Sequence, residues 1–152
     1  MCAMVAETSH DIYEEEHRMF RESLRKFIEQ EITPYHDQWE EDGMVSRDVW
    51  RKAGEQGFLC PQVPEEYGGL GLRDFRYNAI VGEEITRGMA SGVGFTLQND
   101  ITCDYLVHYG TDEQKKKYLP KIVSGELITS IAMSEPGTGS DLQGIKTTAK
   151  PM

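Results

Sequence analysis

The sequence has few of the residues that build a disulfide-bonded or zinc-stabilised domain. Its three cysteines, Cys2, Cys60 and Cys103, lie far apart, are odd in number and form no C-x-x-C pair. This pattern indicates neither a disulfide framework nor a zinc site, and the apolar neighbours of Cys60 and Cys103 favour buried free thiols. No apolar run approaches the roughly 18 residues that a membrane-spanning helix needs.

Basic residues are also scarce. The chain has 16 lysines and arginines against 26 aspartates and glutamates, a formal net charge of −10. Such a protein repels nucleic acids and anionic lipids, so we expect neither nucleic acid nor a membrane as a partner. The same charge weakly repels phosphorylated cofactors, which must then be held by local donors such as backbone N–H groups. Residues 1–7 lack the basic residues of a secretory leader and the pattern of a transit peptide, so the expected location is cytoplasmic.

Apolar residues recur at helical spacing over most of the first 123 residues. We predict six helices, over residues 10–32, 34–41, 46–57, 73–88, 92–109 and 111–123. The expected caps are Thr8 or Ser9 on the first helix, Ser46 on the third, and a Thr111–Gln114 capping box on the last. Glycines and prolines predict an ordered loop over residues 58–72. The expected core includes Phe20, Leu24, Phe27, Trp50, Ile80 and Ile85.

Beyond Gly125 the pattern changes. Residues 127–133 are β-prone, a Gly-rich turn follows, and residues 145–149 are typical of a second strand. Two strands form no stable sheet alone, so we expect a β domain that has only begun. The predicted domains are therefore a helical one over residues 1–126 and the start of a β domain over residues 127–152.

The segment from residue 132 to residue 144 carries most of the chemical information. It reads Ala132-Met133-Ser134-Glu135-Pro136-Gly137-Thr138-Gly139-Ser140-Asp141-Leu142-Gln143-Gly144. It is neither a dinucleotide fingerprint, because position 142 is Leu, nor a P-loop, because the Gly-Lys pair is missing. Gly137 and Gly139 allow a ligand to approach the backbone closely, and three hydroxyl groups add donors. The alternative is a structural turn in which Ser140 and Asp141 bond only the local backbone.

Three motifs resemble those of the acyl-CoA dehydrogenase family, in the family's order and spacing. The 132–144 segment resembles its first signature. The other two are Val63-Pro64-Glu65-Glu66-Tyr67-Gly68-Gly69-Leu70-Gly71, similar to a family loop, and Asp112-Glu113-Gln114-Lys115-Lys116-Lys117-Tyr118-Leu119-Pro120, similar to the helix ahead of its β domain. The likeness extends over residues 10–149, and residues 46–57 and 140–147 look most like the long-chain branch.

The resemblance implies a mainly α N-terminal bundle of about six helices, followed by the first one or two strands of a middle β domain. Family members use FAD, assemble as homotetramers or homodimers, and pass electrons to electron-transferring flavoprotein. A glutamate removes the α proton of an acyl-CoA while FAD accepts hydride from the β carbon, as in fatty acid β-oxidation. That glutamate and the second flavin motif belong to later parts of the family's sequence. We therefore expect no catalytic residue in this chain and no activity from it alone.

The matched positions also imply individual site residues. Those expected to contact FAD are Ile131, Ala132, Met133, Ser134, Glu135, Pro136, Gly137, Thr138, Gly139 and Ser140. Ser140 is also expected to meet the acyl-CoA, and Phe95, Gln98 and Asn99 are expected to flank its acyl chain. Glu135 is interpreted as structural rather than as the base, and no metal ligand set is expected. The alternatives are an acyl-CoA oxidase, a flavin monooxygenase-like relative, and a non-catalytic helical interaction module.

Overall fold

A computed structural model describes residues 12–90 and 92–150 as a mainly helical protein. The α-helices are α1 (Glu15–Phe27), α2 (His36–Asp42), α3 (Arg47–Glu55), α4 (Arg76–Arg87), α5 (Phe95–Leu97), α6 (Cys103–Tyr109) and α7 (Asp112–Val123). Two π-turns interrupt them: a first π-turn, Ile28–Ile32, after α1, and a second π-turn, Gln98–Thr102, which joins α5 and α6 into one continuous helix. Short 3-10 turns cover Thr33–Tyr35, Glu65–Tyr67 and Leu142–Gly144. Counting α5 with α6, the six predicted helices are confirmed.

Side-chain caps set two of the helix starts as predicted. The Ser46 hydroxyl accepts a hydrogen bond from the Asp48 N–H at 3.2 Å. The Gln114 N–H donates to the Thr111 hydroxyl at 3.3 Å, and the Thr111 N–H donates to the Gln114 side chain at 2.9 Å, so the capping box is confirmed. Thr8 and Ser9 lie outside the described residues, but α1 begins at Glu15 with Glu14 as its N-cap, so the cap predicted for the first helix is wrong.

Buried apolar side chains form two clusters. The larger joins α1, α3, α4 and α5, and it contains five of the six predicted core residues, whereas Phe20 is half-buried against it. The smaller joins the 58–72 loop, α6 and α7, and it contains Cys60 and Cys103 as free, fully buried thiols. Within the described ranges, no helix combines the length and apolar character that a bilayer crossing requires.

Gly125 brings the end of α7 against α3. Its φ is +73°, and a Cβ added there would lie 2.1 Å from the Trp50 carbonyl oxygen. Only glycine fits this left-handed position at such close approach. The chain therefore leaves α7 in a fixed direction, and residues 127–133, the linker, continue from there.

The prediction of two strands after Gly125 is wrong. Neither residues 127–133 nor residues 145–149 form a strand in the described chain, where the one β-bridge is the isolated pair Glu135–Thr138. A strand needs a neighbour to satisfy its backbone groups. Here those groups bond elsewhere: the Leu127 N–H donates to the Lys121 carbonyl at 2.9 Å and the Thr129 N–H to the Gln98 side chain at 3.0 Å.

A buried ion pair joins α1 to α4. The Glu84 side chain is 2% exposed, and its carboxylate accepts hydrogen bonds from Arg21 at 2.9 Å and from Arg25 at 2.8 and 2.9 Å. Burial acts to raise the pKa of Glu84, but the hydrogen bonds from Arg25 and Arg21 outweigh it and hold that pKa below its usual value. The charged carboxylate is therefore the form that stabilises the fold. This stabilisation is complete above the ordinary glutamate pKa and is lost as the pH falls through the lowered one.

The neighbouring residue Glu83 offers a matched comparison with Glu84. Glu84→Gln removes one charge from a buried pair with two arginines, and we expect it to lower the free energy of unfolding by about 2–4 kcal/mol. Glu83→Gln removes an exposed carboxylate that also pairs with Arg21, at 2.6 Å, and should cost about 1 kcal/mol or less. Urea denaturation of both variants at pH 7 measures the difference. Equal losses would contradict a buried role for Glu84.

Candidate functional site: the Ser134–Ser140 turn

The turn from residue 134 to residue 140 is a tight reversal on the protein surface. The N–H of Glu135 donates to the Thr138 carbonyl and the N–H of Thr138 donates to the Glu135 carbonyl, both at 3.0 Å. Pro136 occupies the second position of this four-residue turn, where its fixed φ is favourable. Thr138 is buried, whereas Ser134, Gly139 and Ser140 are exposed. The turn therefore presents its backbone and two hydroxyl groups outward.

Nothing in the conformation or packing of the described chain requires glycine at two positions of the turn, 137 and 139. Neither Gly137 nor Gly139 has a positive φ, so no left-handed conformation requires glycine there. A Cβ added to either would meet no atom of the chain within 4 Å. Within the described residues, the N–H groups of Gly137, Gly139 and Ser140 also donate to no acceptor. The turn thus keeps open space beside a set of free donors, which suits a ligand with acceptor oxygens.

The Glu135 carboxylate holds the following segment against the turn. It accepts hydrogen bonds from the Lys146 N–H at 2.9 Å and from the Thr147 N–H at 2.8 Å. Hydrogen bonding from the Thr147 side chain, and then from the backbone of Lys146 and Thr147, lowers the pKa of Glu135. A carboxylate engaged in this way acts as a brace and is a poor proton acceptor, in agreement with the structural role expected for Glu135.

The predicted acyl-chain residues lie elsewhere, in the helical core. Phe95, Gln98 and Asn99 are fully buried. Gln98 donates to the Ile122 carbonyl at 3.1 Å, and Asn99 donates to the Phe58 carbonyl at 3.0 Å and accepts from the Cys60 N–H at 2.8 Å. The structure therefore does not bring these residues together with the turn, and their polar atoms are occupied by partners in the chain.

Two surface cavities, of about 650 and 510 Å³, lie on other parts of the helical domain. The first is lined by α1, α2 and α4, and the second by the 62–78 region and α6. Neither is lined by the turn or by Phe95, Gln98 or Asn99. These two cavities are therefore separate from the turn.

One side-chain group has the composition of a metal site. Ligand atoms of Glu14, Glu16 and His17 lie within 4.8 Å of one another. However, His17 Nδ1 accepts the Glu14 N–H at 3.2 Å, and the Glu14 carboxylate pairs with Arg76 at 3.3 Å. These atoms serve the start of α1, and we assign no metal to them.

Comparison with known proteins identifies the family. The sequence profile of the acyl-CoA dehydrogenase N-terminal domain matches residues 14–126. The long-chain specific acyl-CoA dehydrogenase of Rattus norvegicus mitochondria is 47% identical over 139 residues, which are 91% of this chain and 32% of that protein. The chain belongs to the acyl-CoA dehydrogenase family. It spans about a third of the length of the curated relatives that it matches.

Solved structures of the acyl-CoA dehydrogenase family share the fold. The Geobacillus kaustophilus acyl-CoA dehydrogenase is 53% identical, with a TM-score of 0.83, over 88% of this chain and 35% of that chain. The Bacillus anthracis acyl-CoA dehydrogenase, solved in complex with FAD, is 36% identical, with a TM-score of 0.78, over 90% of this chain and 24% of that chain. The resemblance to this family, including its long-chain members, is confirmed. The individual FAD and acyl-CoA contacts and the domain boundary at residue 126 stay predictions.

Two contacts in this acyl-CoA dehydrogenase chain are not predictable from its sequence. The Glu135 carboxylate accepts hydrogen bonds from the backbone N–H groups of Lys146 and Thr147, which lie 11 and 12 positions away. Because every residue except proline has such an N–H group, the residue types do not predict this contact. The contact between Gln98 and Thr129 spans 31 positions. A buried glutamine beside a buried asparagine was the one available signal, because buried amides must find partners.

The brace formed by Glu135 should depend on pH. As the pH falls through the lowered pKa of Glu135, which lies below the ordinary value of about 4.3, the amide signals of Lys146 and Thr147 should shift together. Glu135→Gln should produce the same shift at pH 7 and abolish the titration, which NMR can follow. Glu126→Gln, on the exposed side of the α7 end, should leave both signals unchanged. Amides that do not respond in Glu135→Gln would rule out the brace.

Proposed function

We propose that this chain forms the helical domain and first flavin-contacting turn of an FAD-dependent acyl-CoA dehydrogenase. The reaction is the conversion of fatty acyl-CoA thioesters to trans-2-enoyl-CoA, as in fatty acid β-oxidation. One observation carries the proposal: neither conformation nor packing requires glycine at positions 137 and 139, which lie within the segment that resembles the family's first signature. The FAD complex of the Bacillus anthracis relative supports the choice of cofactor.

The turn's residues suit the diphosphate and ring edge of FAD. The free N–H groups of Gly137, Gly139 and Ser140 offer donors to phosphate oxygens, and the hydroxyls of Ser134 and Ser140 add two more. When bound, FAD supplies the acceptor for the hydride that leaves the β carbon of the substrate. Because the chain carries a net charge of −10, these local donors have to overcome a long-range repulsion.

The proposal places the catalytic base outside these 152 residues. Glu135 lies within the segment that resembles the family signature, but both of its oxygens accept backbone N–H groups. The proposed partners are an acyl-CoA substrate, an electron-transferring flavoprotein and further copies of the subunit. The cytoplasmic location also stays a proposal. Since the Rattus norvegicus relative is named mitochondrial, cell fractionation is the appropriate test.

The isolated chain should not dehydrogenate acyl-CoA esters. General-base catalysis contributes a factor of about 10²–10⁴ in typical enzymes, and the positioning of the substrate is lost as well. The purified chain should therefore give no turnover of palmitoyl-CoA with an artificial electron acceptor in the presence of FAD. Turnover above the no-enzyme rate would place a base within this chain and overturn the proposal.

A chimera tests the flavin turn directly. In it, this chain replaces the matching segment of the Geobacillus kaustophilus enzyme, to which it is 53% identical. Gly139→Val should abolish FAD binding, because a Cβ added there meets no atom of the chain within 4 Å and the valine side chain occupies the space proposed for the ligand. Ser140→Ala should raise the Kd for FAD by about 10- to 100-fold, the usual effect of losing a hydrogen bond to a charged group.

Flavin absorbance and FAD titration measure both effects. Gly82→Ala adds a side chain on α4, where the nearest atom lies at an ordinary 3.7 Å, and should leave FAD binding unchanged. Glu135→Gln should leave α-proton exchange of the substrate nearly intact. Normal FAD content in Gly139→Val would refute the flavin turn. A chimera that binds FAD but does not dehydrogenate palmitoyl-CoA would favour a monooxygenase-like relative or a non-catalytic module, whereas dehydrogenation with O2 as the electron acceptor would favour an oxidase.

A further inference from the structure

The Gln98 side chain connects three separate parts of the chain. It projects from the second π-turn and is fully buried. Its Nε2 donates to the Ile122 carbonyl at 3.1 Å, in the last turn of α7. Its Oε1 accepts the Thr129 N–H at 3.0 Å and the Thr129 hydroxyl at 3.3 Å. One amide therefore bonds both the end of α7 and the linker that comes after it.

Thr129 is the last linker residue before the turn that is hydrogen-bonded to the helical domain. The Thr129 hydroxyl also contacts the Thr102 hydroxyl, at the end of the second π-turn. Between Thr129 and Ser134, no described residue of the linker has a hydrogen bond to the helices. The direction of the linker after residue 129 is therefore set by its bonds to Gln98 and Thr102.

We propose that Gln98 is a positioning residue for the flavin turn. By holding Thr129, it fixes the place where the linker leaves the helical domain, five residues before Ser134, and so where the turn is presented. This role differs from the acyl-chain contact that family resemblance implies for Gln98. It rests on the proposed function of the turn, although the tether itself does not.

The geometry makes Gln98 a fixed point. Both ends of its amide are bonded, so the side chain cannot rotate without leaving a buried polar atom unsatisfied. The two tethered groups also lie on segments that are otherwise independent, the carbonyl end of α7 and the linker. A leucine at position 98 has a similar size but removes all three hydrogen bonds. The Thr129 N–H then has no protein acceptor, and the linker gains freedom.

Amide hydrogen exchange in the 152-residue chain tests the tether without FAD. Gln98→Leu should accelerate exchange at the Thr129 amide by about tenfold or more relative to the wild type. Asn78→Leu is the matched control: Asn78 is a buried amide that bonds Asp100 on the same π-turn at 2.7 Å but does not touch the linker. Both variants should melt at lower temperature, and only Gln98→Leu should release Thr129. Unchanged exchange in Gln98→Leu, or equal acceleration in both, would overturn the tether.

Thr129→Val covers the case in which Gln98→Leu fails to fold. It keeps the whole core and the Thr129 backbone bond, and it removes the hydroxyl contacts with Gln98 and Thr102. We expect exchange at residues 129 and 130 to rise about threefold. No change at either residue would contradict the importance of these contacts.

FAD affinity in the chimera tests the positioning role. Gln98→Leu should raise the Kd for FAD by about tenfold, while Asn78→Leu should leave it near the wild-type value. If the wild-type chimera binds no FAD, the proposed function fails, and the exchange experiment alone still decides the tether. If the wild type binds FAD and Gln98→Leu binds it equally well, the positioning role is wrong and the proposed function stands.

Discussion

The second π-turn is the constraint on which the rest of this structure depends. Its first two residues, Gln98 and Asn99, are consecutive amides that lie in the interior. The extra residue of the π-turn rotates the later part of the helix by roughly 100° relative to an uninterrupted α-helix. Asn99 bonds the chain on both sides of the bend at Leu59, through the Phe58 carbonyl and the Cys60 N–H. Cys60 has a φ of +49°, unusual for a residue with a side chain, and this bonding helps to hold it. The loop, α7 and the linker are thus arranged around one helical irregularity.

Charge is arranged to serve the fold locally, since the protein as a whole is acidic. Most acidic side chains are exposed, where water screens their repulsion, and Glu84 is the buried carboxylate that two arginines neutralise. Glu135 is satisfied instead by two backbone N–H groups. In each case the carboxylate joins segments that lie apart in sequence. Glu84 and Glu135 are therefore distinguished by their donors and not by their residue type.

In contrast to these two carboxylates, the candidate site has polar groups without partners. The N–H groups of Gly137, Gly139 and Ser140 have no acceptor in the described chain, and the two glycines border open space. The apolar side chains of Met133, Leu142 and Ile145 nearby are exposed. A turn with unused donors beside apolar surface is suited to a ligand that has both a charged and a flat apolar part. The chain spans about a third of the length of its curated relatives, and the turn lies near its last described residues. The helical domain therefore supports the turn, and Gln98 connects that domain to the linker that leads to the turn.

The sequence by itself determined the helices, two of the three predicted caps, most of the core and the family. These depend on local periodicity, on short capping patterns and on motifs read in order. Residues such as Ser46, Thr111 and Leu24 are where those rules place them. The two π-turns were found only in the tertiary structure. The structure alone also decided the partners of Gln98, Glu84 and Glu135, since these partners lie 11 to 63 residues away. It also decided that residues 127–133 are not a strand here. Local β-propensity describes a preference, but a strand exists only where a neighbour accepts its hydrogen bonds, and here a glutamine takes that place.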